Sequence, residues 1–273
     1  MKEIRPLIPV NPQGLDEIAN ELLNENITQD SNTTSSSNVR NPETYLILPG
    51  NLRAVHYPDL LVSTSRLGYD DEVKRISKKL NLNLQNNDQG FIGDINHEQA
   101  LSLNSNLNDF TLAPRYFTDF LWLLLQGSQG KLKVHYANGR EIDQSKLETY
   151  LKEIVEVRNP YRAEWLDAKY GDNIITYTEV INNGFKKVTE QLDNDTLMEN
   201  KIPGINLESW LKNPTIQGLP RKSTKEGKLY YLMPQDGYVA WFGADSAWAV
   251  LSCGRDSTYS DTGLGVRRAK IKK

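Results

Sequence analysis

VAWFGADSAWAVLSCGRDSTYSDTGLGVR, residues 239–267, reads neither as an ordinary core strand nor as an ordinary loop. Every second residue from Ala240 gives Ala240, Phe242, Ala244 and Ser246, and after a break the series resumes with Ala249, Leu251 and Cys253. These small or apolar side chains have the period of one face of a strand. Between them stand Trp241, Gly243, Asp245, Ala247, Trp248, Val250, Ser252, Gly254 and Asp256, which share no common chemistry. A solvent face is mostly charged and polar, and exposed aromatics on a rigid scaffold make binding surface. Taken without any other information, two closely spaced tryptophans read as core.

Outward from this segment, the chain divides by composition. Residues 15–25, LDEIANELLNE, repeat Leu and Ile at helical spacing, and the Ser/Thr/Asn-rich NITQDSNTTSSSN that follows has too little apolar surface to order itself. Residues 1–40 are therefore expected to be an arm and linker, either an attachment or oligomerisation element or a loosely docked terminus. Residues 41–273 are expected to form one domain. TYLILPG reads as a strand, and YDDEVKRISKKLNL as a helix with acids in its first turn and lysines in its last. FTDFLWLLLQGS reads as a buried helix, KLKVHYANGREI as a hairpin around Asn138-Gly139, and SKLETYLKEIVEVR as a third helix. Beyond Lys201 the chain is turn-rich, with short strands such as KLYYLM. Helices early, strands late and no βαβ alternation predict an α+β fold.

Composition narrows the function. With 32 Lys+Arg against 35 Asp+Glu, the net charge is -3, so no global field draws the chain to nucleic acid. The basic residues Arg267, Arg268, Lys270, Lys272 and Lys273 are expected to be a solvated tail. No apolar run approaches the ~20 residues of a membrane span, and the start MKEIRPLIPV lacks a signal-peptide pattern, so membrane insertion is not expected. One cysteine and three histidines (His56, His97, His135) argue against a disulfide framework or a metal centre. No phosphate-binding, zinc-protease or serine-hydrolase motif occurs, and no cofactor is expected. Cys253 reads as a small buried thiol rather than a nucleophile.

The alternation A-x-F-x-A-x-S-x-x-A-x-L-x-C-x-R, closing on GLGVR, resembles the variable region of proteins diversified by diversity-generating retroelements, nearest to the archaeal and archaeal-virus type. RAEWLDAKY (residues 162–170) and QGLPRKSTKEGKLYYLMPQDGYVAWF (residues 217–242) resemble the segments that precede it there. The resemblance is specific over about residues 217–270 and weak before Gly130. It implies a C-type-lectin fold with short twisted strands, two or three helices and long loops. It also implies a variable region at about residues 239–267 in which scaffold positions stay fixed while interleaved positions change through errors at adenines. Asn codons changed only at adenines yield Gly, Asp, Ala, Val, Ser, Thr and Tyr. Those are the residue types at Gly243, Asp245, Ala247, Val250, Ser252, Gly254, Asp256, Thr258, Tyr259, Asp261 and Thr262. Trp241 and Trp248 are each one adenine change from an AGG codon.

The resemblance thus implies a non-enzymatic protein that binds a protein or glycan receptor on a target cell, from a virion tail, particle surface or cell surface. Its ligand-binding residues would be those eleven together with Trp241 and Trp248; Trp241, Trp248 and Tyr259 would be the anchors. Phe242, Ala244, Leu251, Cys253, Leu264 and Val266 would be buried scaffold. Homo-oligomerisation through the N-terminal arm is a further expectation. The alternative is an enzyme of the formylglycine-generating-like branch of the same fold, acting on a small ligand, but that chemistry needs paired cysteines and this chain has only Cys253.

Overall fold

A computed structural model describes residues 42–273 apart from 54, 85, 88, 89 and 183. The expectations for residues 1–40, including an oligomerising arm, lie outside the described residues. The fold is α+β. Its main sheet has eight strands, β3 (Arg162–Gly171), β4 (Ile174–Ile181), β5 (Gly184–Gln191), β6 (Lys201–Ile205), β7 (Leu229–Leu232), β8 (Val239–Ala244), β9 (Ala249–Arg255) and the two-residue β10 (Leu264–Gly265). The strand order is β5-β4-β3-β8-β9-β7-β6, with β10 beside β3. A smaller sheet places β2 (Leu60–Arg66) between β1 (Tyr45–Leu48) and β11 (Arg267–Ile271).

The described residues contain five α-helices, two more than the sequence reading supplied. α1 (Asp71–Lys79) begins where Asp70 accepts the Val73 N–H at 2.8 Å, and carries Asp71 and Glu72 first and Lys78 and Lys79 last, in accord with the helix dipole. α3 (Pro114–Ser128) is the buried FLWLLL helix, with proline in its first turn where a missing N–H costs nothing. α4 (Gln144–Val155) packs against it. The additional helices are α2 (His97–Asn106) and the short α5 (Leu207–Lys212). The expected strands were short and lay mainly beyond Lys201, whereas before that residue stand β3 with ten residues and the hairpin of β4 and β5 with eight each. The expected hairpin at residues 131–142 is reduced to a turn at Gly139 and the single bridge His135–Glu141.

Both faces of the central strands are covered. One face carries Ala240, Phe242, Ala244, Ala249, Leu251 and Cys253 into the larger core, with Phe117, Phe120 and Leu124 of α3 and Leu147 and Leu151 of α4. The opposite face carries Trp165, Val239, Trp241 and Val250 into a second core, with Val73 and Ile76 of α1 and Ala100 and Leu103 of α2. A buried ionic cluster ties the sheets together. Glu164 accepts from Arg162 Nη2 at 2.8 Å and from Arg267 Nε at 2.8 Å, while Arg267 Nη1 donates to the Ser63 carbonyl at 2.7 Å. The two guanidinium groups hold the Glu164 carboxyl down at about 2 against the desolvation that opposes it. The basic C-terminal residues are therefore not a solvated tail: Arg267 is buried, and Arg268 pairs with Asp109 in the edge of the small sheet.

Candidate functional site

The register of β8 with β9 places Trp241 opposite Ser252, Phe242 opposite Leu251, Gly243 opposite Val250 and Ala244 opposite Ala249. Paired residues share a face, so the two interleaved series separate as their period requires. All six expected scaffold residues, Phe242, Ala244, Leu251, Cys253, Leu264 and Val266, are buried.

The interleaved residues divide. Ala247, Trp248, Asp256, Thr258, Tyr259 and Thr262 are exposed, and Asp245, Gly254 and Asp261 are half-buried. Trp241, Gly243, Val250 and Ser252 are buried, contrary to their expected role as surface contacts. The reason is architectural: a central strand between two helical layers has no solvent face. Trp241 is only 5% exposed and meets Tyr161 edge-on at 6.0 Å between ring centroids. Its indole also lies across Gly243, where an added Cβ would stand 2.2 Å from Trp241 Cζ3.

The exposed members sit on two loops held by main-chain hydrogen bonds and by the carboxylates of Asp245, Asp256 and Asp261. In the β8–β9 turn, Asp245 N–H donates to Trp248 O at 3.0 Å, and Asp245 Oδ1 accepts from the Ala247 and Trp248 amides at 2.7 and 3.0 Å. Residues 256–262 dock on the start of α2 and the loop before it. There, Ser257 O accepts from His97 N, Asp261 O from Asp94 N at 2.8 Å, and Thr262 O from Asn87 Nδ2 at 2.8 Å. Within this loop Asp256 Oδ1 takes the Thr258 amide and hydroxyl, each at 2.8 Å, which holds its carboxyl below the ordinary value. Asp261 Oδ1 takes the Gly263 amide at 2.8 Å. Among the described residues, no main-chain hydrogen bond rests on the remaining exposed side chains, Ala247, Trp248, Tyr259 and Thr262.

Aromatic rings and one cation organise the surface. Trp248 stacks on Tyr230 of β7 with centroids 5.4 Å apart and planes 6° apart, leaving its outer face to solvent. The Arg255 guanidinium lies 4.7 Å from the Trp241 ring centre and 4.3 Å from that of Tyr259. Tyr161, Tyr230 and Arg255 were not among the residues anticipated from sequence. Arg255 ends the A-x-L-x-C-x-R pattern, and that lone cation beside two carboxylates was the available signal.

Elsewhere the described residues hold few candidates for catalysis. Cys253 is fully buried, and burial pushes its thiol up to about 12. His97 is buried, its Nε2 bonded to Leu166 O at 3.0 Å, and burial lowers its pKa. Among the described residues no three His, Cys, Asp or Glu side chains are grouped to hold a metal ion, and no helix is long and apolar enough to cross a membrane. Comparison with protein-family models, with curated proteins and with solved structures finds no match to this chain.

Proposed function

We propose that this protein is a ligand-binding protein whose recognition surface is the β8–β9 turn together with residues 254–262, carried on a C-type-lectin-like scaffold. One observation carries the reading. The exposed loops are fixed by main-chain hydrogen bonds and by the turn-capping carboxylates of Asp245, Asp256 and Asp261, while among the described residues no main-chain hydrogen bond rests on the side chains of Ala247, Trp248, Tyr259 and Thr262. Side chains at such positions can be exchanged while the loop path persists, which is what a surface diversified by a retroelement requires. The rigid aromatic pair Trp248–Tyr230 supplies contact area at low entropic cost. Attachment to a receptor on a target cell, from a virion or a cell surface, is the role that follows, without catalysis, cofactor or metal.

The burial of Trp241, Gly243, Val250 and Ser252 narrows the surface from the anticipated strand face to the loop rim. Sequencing the DNA beside the coding region tests the diversification. A reverse-transcriptase gene and a near-repeat of the segment encoding residues 239–267, differing at adenines, are expected. Their absence overturns that part of the proposal. Attachment of the intact chain to target cells tests the surface: Trp248→Ser is expected to weaken it at least tenfold with the fold intact, and undiminished attachment would remove the loop rim from the site.

A further inference from the structure

Arg255 is a guanidinium held in place without an acceptor. Its carbon lies against the rings of Trp241 and Tyr259, and its side chain makes no hydrogen bond or ion pair with any described residue. Ring contacts restrain the flat group and leave its N–H edge unspent, the arrangement that receives a carboxylate through two parallel bonds. A second unspent donor lies beside it: Trp241 Nε1 is buried and has no hydrogen-bond partner.

The neighbouring acceptors have a different disposition. Asp245, Asp256 and Asp261 each commit Oδ1 to turn amides. Among the described residues the second oxygens of Asp245 and Asp256 accept no hydrogen bond, and that of Asp261 has only the Tyr259 hydroxyl at 3.5 Å. Arg255, Asp245 and Asp261 all lie near enough to Tyr161 to act on its hydroxyl, and Asp256 follows Arg255 in sequence. This excess of carboxylates disfavours a polyanion such as nucleic acid or a sulfated polymer more than a ligand with one negative charge. They suit a ligand that brings a single negative charge on a body rich in hydroxyl donors. The outer face of Trp248 adds flat apolar area for the C–H face of a pyranose ring.

We infer that Arg255 receives the carboxylate of a sugar acid, with the free aspartate oxygens of the rim taking the sugar's hydroxyls and Tyr259 lying beside the ring. This rests on the proposed recognition surface and names the ligand class for it. Arg255 is then the fixed element of the site, and the interleaved residues around it select which acidic glycan is bound.

Calorimetric titration of the intact chain with sialyl-, glucuronyl- and galacturonyl-terminated oligosaccharides, each paired with its methyl ester, tests the inference. At least one free acid is expected to bind at least tenfold more tightly than its ester. Arg255→Gln is expected to abolish that preference with the melting temperature retained, and Arg255→Lys to restore part of it, because an ammonium has the charge without the fork. Failure of every sugar acid to bind, equal binding of acid and ester, an undiminished preference in Arg255→Gln, or tight binding of an aspartate-rich peptide in place of the sugars overturns it. If Trp248→Ser still abolishes attachment to target cells while no sugar acid binds, the inference falls and the binding surface stands. Sugar-acid binding without a neighbouring reverse transcriptase and template repeat leaves the inference standing and removes the diversification.

Discussion

Replacing Trp241 and Trp248 separately by serine distinguishes the two tryptophans that sequence alone treats alike. Trp241 is 5% exposed and part of the second core, so removing its indole opens a cavity among Trp165, Val250 and Tyr161. Such a truncation costs about 3–5 kcal/mol. For a domain of this size each kcal/mol moves the midpoint by about 2–4 °C, so a fall of roughly 10 °C is expected. Trp248 is 40% exposed and loses mainly its stack on Tyr230, about 1 kcal/mol and therefore about 2–4 °C. Thermal unfolding followed by far-ultraviolet circular dichroism, backed by urea titration at 25 °C, measures both. Equal shifts in the two variants, whether small or large, would refute the division of the interleaved residues into core and rim.

Val250→Asp and Leu251→Asp are both expected to destabilise by about 4 kcal/mol or more, because each puts a charge into one of the two cores, whereas Ala247→Asp stays within about 0.5 kcal/mol; urea titrations compare the three. Glu164 has its folded pKa depressed from the ordinary 4.5 to about 2, so its contribution, about 3 kcal/mol, is fully present above pH 4.5 and is lost as the pH falls from there towards 2. Stability measured against pH is expected to lack this part of the acid limb in Glu164→Gln, and parallel losses in variant and parent would contradict the depressed pKa. Cys253 is expected to resist a thiol reagent at pH 8 in the folded protein and to react at once in denaturant, since its thiol is pushed up to about 12 by burial; rapid labelling of the native chain would show that the strand opens.

The strand period and the strongest helices were legible because they are written in side-chain pattern. Phe242, Ala244, Leu251 and Cys253 repeat every second residue, and FLWLLL is too apolar to be anything but core. What covers the other side of β8 and β9 was not legible. α2 has the sequence HEQALSLNSN, in which only Ala100 and the two leucines mark an apolar stripe, and two of its buried residues are His97 and Asn104. Its one clear signal was the reciprocal cap, Asn96 Oδ1 accepting from Gln99 N at 2.9 Å and Asn96 N donating to Gln99 Oε1 at 3.1 Å. β3 hides for a related reason: buried on both faces, with Arg162, Glu164 and Asp167 inside, it has no alternation to read. Glu164, which neutralises Arg267, stands far from it in the chain and meets it only on folding, so the basic end of the chain looked like a tail. The exposure of Trp248 and Tyr259 was foreseen, whereas Arg255 lies against rings that the sequence does not place beside it.

The indole of Trp241 spread across Gly243 makes the two positions interdependent. A methyl group at 243 would lie 2.2 Å from that ring and 2.9 Å from Ala163 Cβ, so a bulky residue at 241 demands the absence of one at 243. Were positions 241 and 243 diversified as proposed, codons that mutate independently would not yield independently acceptable proteins. The number of usable sequences would then be smaller than the product of the choices at each site, and permissible pairs would trade volume across the two positions. Positions such as Ala247 and Thr262, exposed on the loops, escape this accounting. Diversity in such a protein would be partitioned by geometry, with unrestricted exchange at the rim and correlated exchange beneath it.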